Sequence, residues 1–506
     1  MVNNVGLLII EGDLSPNRLK QILAHASSLV SSELYFVLRT FQSEDQSNGS
    51  LKQFITLVYS YAPSICPNLG IYISLPPFVN KICNYDVIIT VKINDNPEEL
   101  VTKVKHIDEN FDPSTMLSDS LQVFRQSRFK AFQSVCLGGT FDDLHNGHRL
   151  LLTLAALLAE SRLLVGVTDN RLLKGKILAP LIQNSENRAA GVKNFLEKIG
   201  FDVNRLEIFF LTDPFGPPVY QPDFDCIVAS EETVPGCEKI NQMRSDKGFS
   251  PLHIEKVDFV VSKGMETLLP KGYTDSKISS SSLRLNLLGR CLLREYVEDR
   301  QPKGGTWIIG LTGCIASGKS SILKLLRDFS GDRIRVIDVD HLLELFCNQI
   351  EGNCENLRTY FAMETVKQLD ASLNMSTYEK TEILSKIQSE IDIVLSETRS
   401  KQPVIFLEGS LLFTTGLNYL CDEMWTVYVP RSVALSRVAK RREIKLVEEI
   451  EEFSSELKVD WWAPCQRDSG RVPIGQSSVV FCTLWDEEFT RKQTERAWKY
   501  LSQRLL

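Results

Sequence analysis

No run in this 506-residue chain approaches the roughly 18 to 20 consecutive apolar residues that a membrane-spanning helix needs. Positive charge is not in surplus either. Against 64 aspartates and glutamates stand 57 lysines and arginines, so long-range attraction to nucleic acid or to an anionic membrane is not written in the composition. Any anionic substrate must therefore be captured by local basic groups. The 12 cysteines run from Cys66 to Cys482 without a single C-x2-C pair, which excludes the usual zinc spacing and a secreted disulfide framework and suits a reducing cytosol. Repeats with a period of about 20 to 50 residues are missing. The apolar start, Met1 to Ile10, has no basic segment before it and meets Glu11 and Asp13 directly, so it reads as a first strand and not as a signal or an Arg-rich transit peptide. Histidine is scarce, with six in all, and two of the six, His145 and His148, lie three residues apart.

The length predicts about three domains. Residues 1–127 alternate strand and helix: Gly6 to Ile10 as strand, Ser15 to Leu29 as helix, Leu34 to Arg39 and Val87 to Ile93 as strands, with polar Gln42 to Ser50 as a loop and Asp108 to Ser120 as the exit. This stretch reads as an accessory α/β domain with no legible chemistry. Residues 130–295 follow a cleaner pattern, with strands at Ser134 to Leu137, Leu163 to Val167, Leu206 to Leu211, Asp225 to Ala229 and Ile254 to Val260, and helices at Asn146 to Glu160 and Glu186 to Ile199. Such alternation predicts a Rossmann-like parallel sheet with its ligands at the carboxyl ends of the strands. Asp299 to Gly305 collects polar, proline and glycine residues and reads as a linker. Residues 306–506 carry G-x4-G-K-S at positions 313–320 directly after an apolar run, and so read as a third α/β domain, a P-loop kinase sheet, with strands at Ile334 to Val339, Pro403 to Leu407, Met424 to Val429 and Val479 to Leu484 and a last helix from Glu487 to Leu506. Within it, Leu446, Ile450, Phe453 and Leu457 recur at helical spacing through a Glu-rich segment, the pattern of an amphipathic helix with a solvated face.

Two loops carry the chemistry, each where an apolar strand meets a helix. Gly313-Cys314-Ile315-Ala316-Ser317-Gly318-Lys319-Ser320 matches G-x4-G-K-S in full and follows the strand-like Trp307 to Thr312, the context that turns the pattern into a P-loop. Its backbone N–H groups, continuing to Ser321, cradle phosphates; Lys319 reaches the transferred phosphoryl group and Ser320 offers its hydroxyl to Mg2+. Asp338 and Asp340 close the next strand and put carboxylates on the same sheet edge. The other loop, Gly138-Gly139-Thr140-Phe141-Asp142-Asp143-Leu144-His145-Asn146-Gly147-His148, enters its helix through Gly147. A neutral imidazole there can give one N–H to a phosphoryl oxygen, stabilising the charge that builds when a phosphate attacks the α-phosphorus of ATP.

The motif G-G-T-F-D-x-x-H-x-G-H resembles the signature of the nucleotidyltransferase superfamily, and in this setting that of phosphopantetheine adenylyltransferases. Ile278 to Arg284 is similar to the family's I-S-S-T-x-I-R element, and Asp169 to Lys176, Glu186 to Arg188 and Ser230 to Thr233 resemble segments of its eukaryotic form. The resemblance implies that Gly139, Thr140, Phe141 and His148 meet ATP, that Ser280, Ser281 and Arg284 bind its phosphates, that Lys174 or Lys176 holds the phosphate of 4'-phosphopantetheine, and that Arg188 helps shape the site. A class I aminoacyl-tRNA synthetase competes through its H-I-G-H and K-M-S-K-S loops, which Lys277 to Ser281 imitates. The second lysine of that loop and a basic surplus for tRNA are both missing.

The carboxyl-terminal third resembles dephospho-CoA kinases, whose I-D-x-D element makes its second aspartate the base; the resemblance gives that role to Asp340. Glu408 to Phe413 is similar to the family's D-x-P-L-L-F-E, with Glu408 for Asp and Ser410 for Pro. The order of both motif sets resembles the bifunctional coenzyme A synthases of animals, which implies ATP, Mg2+, 4'-phosphopantetheine and dephospho-CoA as ligands and no nucleic acid. The kinase lid departs from the pattern: Arg441 keeps its place, but the arginine expected near Gln466 is absent there, leaving Arg467 and Arg471 as substitutes. That departure sets up the alternative, an adenylyltransferase whose kinase half has decayed into a nucleotide-binding or scaffold module. The cytoplasm is the expected compartment, with association with mitochondria left open.

Overall fold

The protein is described from a computed structural model covering residues 3–11, 15–40, 48–67, 69–74, 86–93, 100–106, 131–173, 175–257, 268–273, 279–292, 302, 305–314, 316–347, 377–398, 403–410, 412–413, 416–442 and 476–505. These residues build three five-stranded sheets. The chain divides into two compact units: residues 1–176, 183–266 and 275–282 form the first, which holds two sheets, and residues 177–182, 267–274 and 283–506 form the second.

In the first sheet β1 (Asn3–Glu11) lies centrally between β2 (Val30–Thr40) and β4 (Val87–Ile93), parallel to both, with β3 (Gly70–Ile73) outside β2 and β5 (Leu100–His106) antiparallel on β4. Because both faces of a central parallel strand are covered, Leu7 to Ile10 can be uninterruptedly apolar, and all four are buried. The helix α1 (Pro16–Leu29) starts with proline in its first turn, and Ser15 Oγ accepts from the N–H of Arg18; Leu19, Ile22, Leu23 and Ala26 form its buried stripe. A second helix, α2 (Asn48–Ile65), takes in the end of the expected Gln42 to Ser50 loop; residues 42–47 lie outside the described residues.

The second sheet runs β10 (His253–Val257), β9 (Cys226–Ser230), β6 (Phe132–Gly139), β7 (Ala159–Thr168), β8 (Leu206–Leu211), all parallel, with α3 (Asn146–Leu158), α4 (Ser185–Lys198) and α5 (Val234–Asp246) as crossovers. The first two sheets share one continuous apolar core that reaches from Leu7 to Val257. Its seam is α2 against α3. Every residue from Leu150 to Leu158 is buried because α3 has the second sheet on one side and α2 on the other. Polar contacts pin the seam. Tyr59 and Thr153 hydroxyls lie 3.1 Å apart, with burial pushing the Tyr59 phenol up to about 12, and Asn146 Nδ2 donates to the Tyr59 carbonyl at 2.9 Å.

The third sheet, in the second unit, is ordered β12 (Ile334–Asp338), β13 (Val404–Glu408), β11 (Trp307–Thr312), β14 (Glu423–Tyr428), β15 (Val479–Cys482), again parallel throughout. Alternation along β11 sends Trp307, Ile309 and Leu311 into a core under α7 (Lys319–Ser330) and α11 (Glu487–Ser502), and Ile308 into a second core with α8 (Val339–Cys347) and α9 (Thr377–Thr398). The helix α10 (Arg431–Arg442) follows β14. The Glu-rich helix expected near residues 443–457 lies outside the described residues, as do the exit at residues 108–120 and most of the linker. Among the described residues no helix is long and apolar enough to cross a membrane.

Candidate active sites

At the carboxyl end of β6 the chain turns under strain. Phe141 and Asp143 are non-glycine residues with φ of 52° and 40°, and a Cβ on Gly139 would come within 3.1 Å of the Phe141 ring. The turn is held from beneath by Arg188, only 1% exposed, whose guanidinium donates to the carbonyls of Thr140 (2.6 Å), Thr168 (2.7 Å) and Gln183 (2.9 Å). Arg188 therefore ties the glycine turn to the end of β7 and the start of α4, with a longer bond to the Thr168 hydroxyl at 3.4 Å. Asp142 and Asp143 accept from the main chain and the side chain of Gln183, closing the same turn.

The two histidines play different parts. His145 is the N-cap of α3: its Nδ1 accepts from the N–H groups of Gly147 (3.1 Å) and His148 (3.4 Å), which leaves the ring proton on Nε2. His148 stacks on it with ring centroids 3.8 Å apart, and its Nδ1 is buried without a hydrogen-bond partner. Loss of hydration first, and the neighbouring His145 second, hold the His148 imidazole well below its ordinary pKa, so it is neutral at physiological pH. A neutral ring at the N-terminus of a helix can donate one N–H to an oxyanion while the helix dipole favours the anion.

Of the other expected residues, Lys176 is exposed beyond β7 and Lys174 lies outside the described residues. Ser279 and Ser282 cap one another at the start of α6 (Ser280–Leu287), main-chain N–H to hydroxyl at 3.1 Å in both directions, leaving Ser280 and Ser281 half-buried in the first turn. Arg284 is buried and donates through Nε to the Ile177 carbonyl at 2.8 Å.

In the third sheet the P-loop follows β11. Gly313 has φ of 149°, and a Cβ there would meet the Val427 carbonyl oxygen at 2.3 Å; Ala316 and Gly318 also have positive φ, and Gly318 is the N-cap of α7. Ile315 lies outside the described residues. Lys319, 9% exposed, donates to the Gly313 carbonyl (3.2 Å) and to Ser410 Oγ (2.7 Å). Ser320 Oγ donates to Glu408 Oε1 at 3.2 Å, and Ser321 is exposed on the same first turn. Burial raises the Glu408 carboxyl, with Asp338 and Asp340 adding to the rise and Lys319 and Ser320 opposing it. The thiol of Cys314 is pushed up to about 12 by burial, so it stays protonated and unreactive.

The two aspartates sort differently from the sequence reading, which ended the strand on both. The strand stops at Asp338, whose side chain caps α8 by accepting from the N–H of His341 (2.9 Å), while Asp340 lies in the first turn of α8 with both carboxylate oxygens accepting from the N–H of Ser410 (2.9 Å each). Sequence reasoning missed two residues here. Arg437 on α10 donates to the Ala316 carbonyl and to Thr483, and Thr483 Oγ1 donates to the Ser317 carbonyl, so one arginine braces the P-loop from outside. Its signal was a cation one helical turn before Arg441. The other is Ser410, which the sequence marks only as a departure from the kinase pattern and the structure joins to Lys319 and Asp340. For Arg441 the structure gives its helix, α10, and residues 466–471 lie outside the described residues.

Family models match the second and third sheets separately. One for cytidylyltransferase-like proteins covers residues 136–286, and one for dephospho-CoA kinase covers residues 307–456. Over 146 residues the chain is 36% identical to a phosphopantetheine adenylyltransferase of Methanosarcina acetivorans, an alignment spanning 28% of this chain and 91% of the relative. The chain belongs to the phosphopantetheine adenylyltransferase family. The enzyme of that name in Methanopyrus kandleri is 37% identical over 155 residues, 30% of this chain and 89% of the relative. The one in Saccharomyces cerevisiae is 34% identical over 153 residues, 30% of this chain and 48% of the relative. The chain thus spans about half the length of the yeast relatives it matches. A nucleotidyltransferase-type domain and a dephospho-CoA kinase domain are joined in one polypeptide.

Proposed function

We propose that the chain carries out two successive ATP-dependent reactions. In the first, a phosphate oxygen of 4'-phosphopantetheine attacks the α-phosphorus of ATP, giving dephospho-CoA and pyrophosphate. In the second, the ribose 3'-hydroxyl of dephospho-CoA attacks the γ-phosphorus of another ATP, giving coenzyme A and ADP. The observation that carries this reading is the pairing, in one chain, of a neutral His148 on a strained glycine turn with a complete P-loop that faces two carboxylates.

In the first reaction His148 donates its N–H to the α-phosphoryl oxygen as charge builds, and Thr140, Phe141 and Gly139 line the nucleotide. His145 keeps the entry of α3 in register, Arg188 keeps the turn in shape, Ser280 and Ser281 reach the phosphates, and Lys174 or Lys176 binds the phosphate of the acceptor. In the second, Lys319 stabilises the γ-phosphoryl oxygens and Asp340 takes the proton of the 3'-hydroxyl. Hydroxyl and carboxylate oxygens from Ser320 and Glu408, 3.2 Å apart, fit a hard divalent cation; when bound, Mg2+ would offset the negative charge of the nucleotide phosphates. Gly313 through Ser321 cradle the phosphates, and Arg441, helped by Arg467 or Arg471, closes over them.

The functional division at residues 1–127, 130–295 and 306–506 belongs to the same reading. The described cysteines, all free thiols, support a reducing compartment such as the cytosol. The reading is tested by pyrophosphate release: the purified protein should release it from ATP when 4'-phosphopantetheine is supplied, and Lys319→Met should still do so. Release that does not depend on 4'-phosphopantetheine would overturn the first assignment.

A further inference from the structure

Resting on the kinase reading above, we infer that Ser410 is a positioning residue for phosphoryl transfer, one that fixes the base and the phosphate-binding cation from a single point. Ser410 stands two residues beyond Glu408, the last residue of β13, on the carboxyl edge that the P-loop also occupies. The turn that presents it is held by the Gly409 N–H, which donates to the Leu311 carbonyl at 3.1 Å, and by close packing of Gly409, where a Cβ would meet Leu412 and Val339 at 3.2 and 3.3 Å. Two bonds of different kinds leave the residue. Its main-chain N–H is shared by both oxygens of Asp340 at 2.9 Å each, which aligns the carboxylate symmetrically on that N–H and sets its rotation. Its hydroxyl oxygen accepts from the Lys319 ammonium at 2.7 Å, the length of a charge-assisted bond.

A lysine ammonium has three donors on a flexible stem. Two are assigned here, to the Gly313 carbonyl and to Ser410, so the third is aimed by the first two. Asp340 and Lys319 must act on opposite sides of one phosphoryl transfer, and a displacement of about 1 Å in either is costly. Ser410 spans them with one side chain and one peptide group. A proline at this position, as in the kinase pattern that Glu408 to Phe413 resembles, has neither the N–H nor the hydroxyl and could make neither contact. Ser410 is half-buried, so removing its hydroxyl leaves little packing to lose.

The test compares Ser410→Ala, Ser410→Thr and Ser410→Pro in the full chain, with dephospho-CoA and MgATP as kinase substrates and adenylyl transfer to 4'-phosphopantetheine as an internal check on folding. Ser410→Ala should lower kcat of the kinase step by roughly 10-fold while KM for ATP moves less than about 2-fold, because a positioning role acts on the transition state. Ser410→Thr, which keeps the hydroxyl, should restore most of that rate. Ser410→Pro should fall below Ser410→Ala. Unchanged kcat in Ser410→Ala, a change confined to KM, or a Thr variant as slow as Ala would overturn the inference while leaving the kinase reading in place. A parent chain with no kinase turnover would instead remove the reading beneath it.

Discussion

His148 offers the sharpest perturbation, since its proposed role depends on being uncharged. Burial of its Nδ1 and the stacked His145 ring hold its pKa well below the ordinary value, so no second proton is taken up as pH falls through about 6.5. Removing the ring in His148→Ala deletes one donor to the developing oxyanion, for which the expected loss is about 100- to 1,000-fold in rate, or about 2.7 to 4 kcal/mol. His148→Gln, which keeps an N–H, should recover part of it. The assay is initial dephospho-CoA formation from 4'-phosphopantetheine and ATP between about pH 6 and 8. The ratio of parent to His148→Ala rates cancels the ionisation of the substrates and should stay flat across that range. In the folding equilibrium, the unfolded chain protonates this histidine near pH 6.5 and the folded chain does not. Its contribution to stability is therefore complete above that pH and falls as pH drops below it. A rate ratio that collapses as pH falls through 6.5, or an unchanged His148→Ala rate, would refute the neutral-donor argument.

Lys319→Met should abolish coenzyme A formation and let dephospho-CoA accumulate, and Asp340→Asn should do the same with ATP affinity retained, both followed by product chromatography. Arg441→Ala should slow the kinase step by roughly 10-fold or more and leave adenylyl transfer unchanged; steady-state rates of both steps decide it. Arg188→Met leaves three half-buried carbonyl groups without this donor, at about 0.5 to 1.5 kcal/mol each, so adenylyl transfer should be lost at a temperature several degrees lower than in the parent. Arg504→Ala removes the ion-pair partner of Glu423, a carboxylate 1% exposed that also accepts from Ser478 and Tyr500, and should destabilise the third sheet by about 3 kcal/mol in urea titrations of kinase activity. Pairing it with Glu423→Leu should recover much of that.

The sequence announced most of the second and third sheets, because their inner strands, such as Trp307–Thr312 and Val404–Glu408, are runs of apolar residues and their helices carry an apolar stripe. Leu206 to Leu211 matches the observed strand at both ends, and Asn146 was the expected first residue of α3. The first sheet was harder to read. Its β3 has four residues, β5 is an antiparallel edge strand broken by Lys103 and Lys105, and α2 begins inside a polar run and contains Pro63. What positions the sites came mainly from tertiary contact. The bond from Ser410 to Asp340 joins residues 70 apart, and that from Arg437 to the P-loop joins residues 121 apart. Local patterning fixes which loop handles phosphate; it carries no information on which distant side chain braces that loop.

The most direct test of the account is to incubate the purified protein with 4'-phosphopantetheine and MgATP and weigh the products by mass spectrometry. Coenzyme A is the expected product, with dephospho-CoA as its transient precursor and two ATP consumed for each molecule formed. Dephospho-CoA as the end product would contradict the kinase half and favour a decayed P-loop module, and unchanged 4'-phosphopantetheine would contradict the central claim itself.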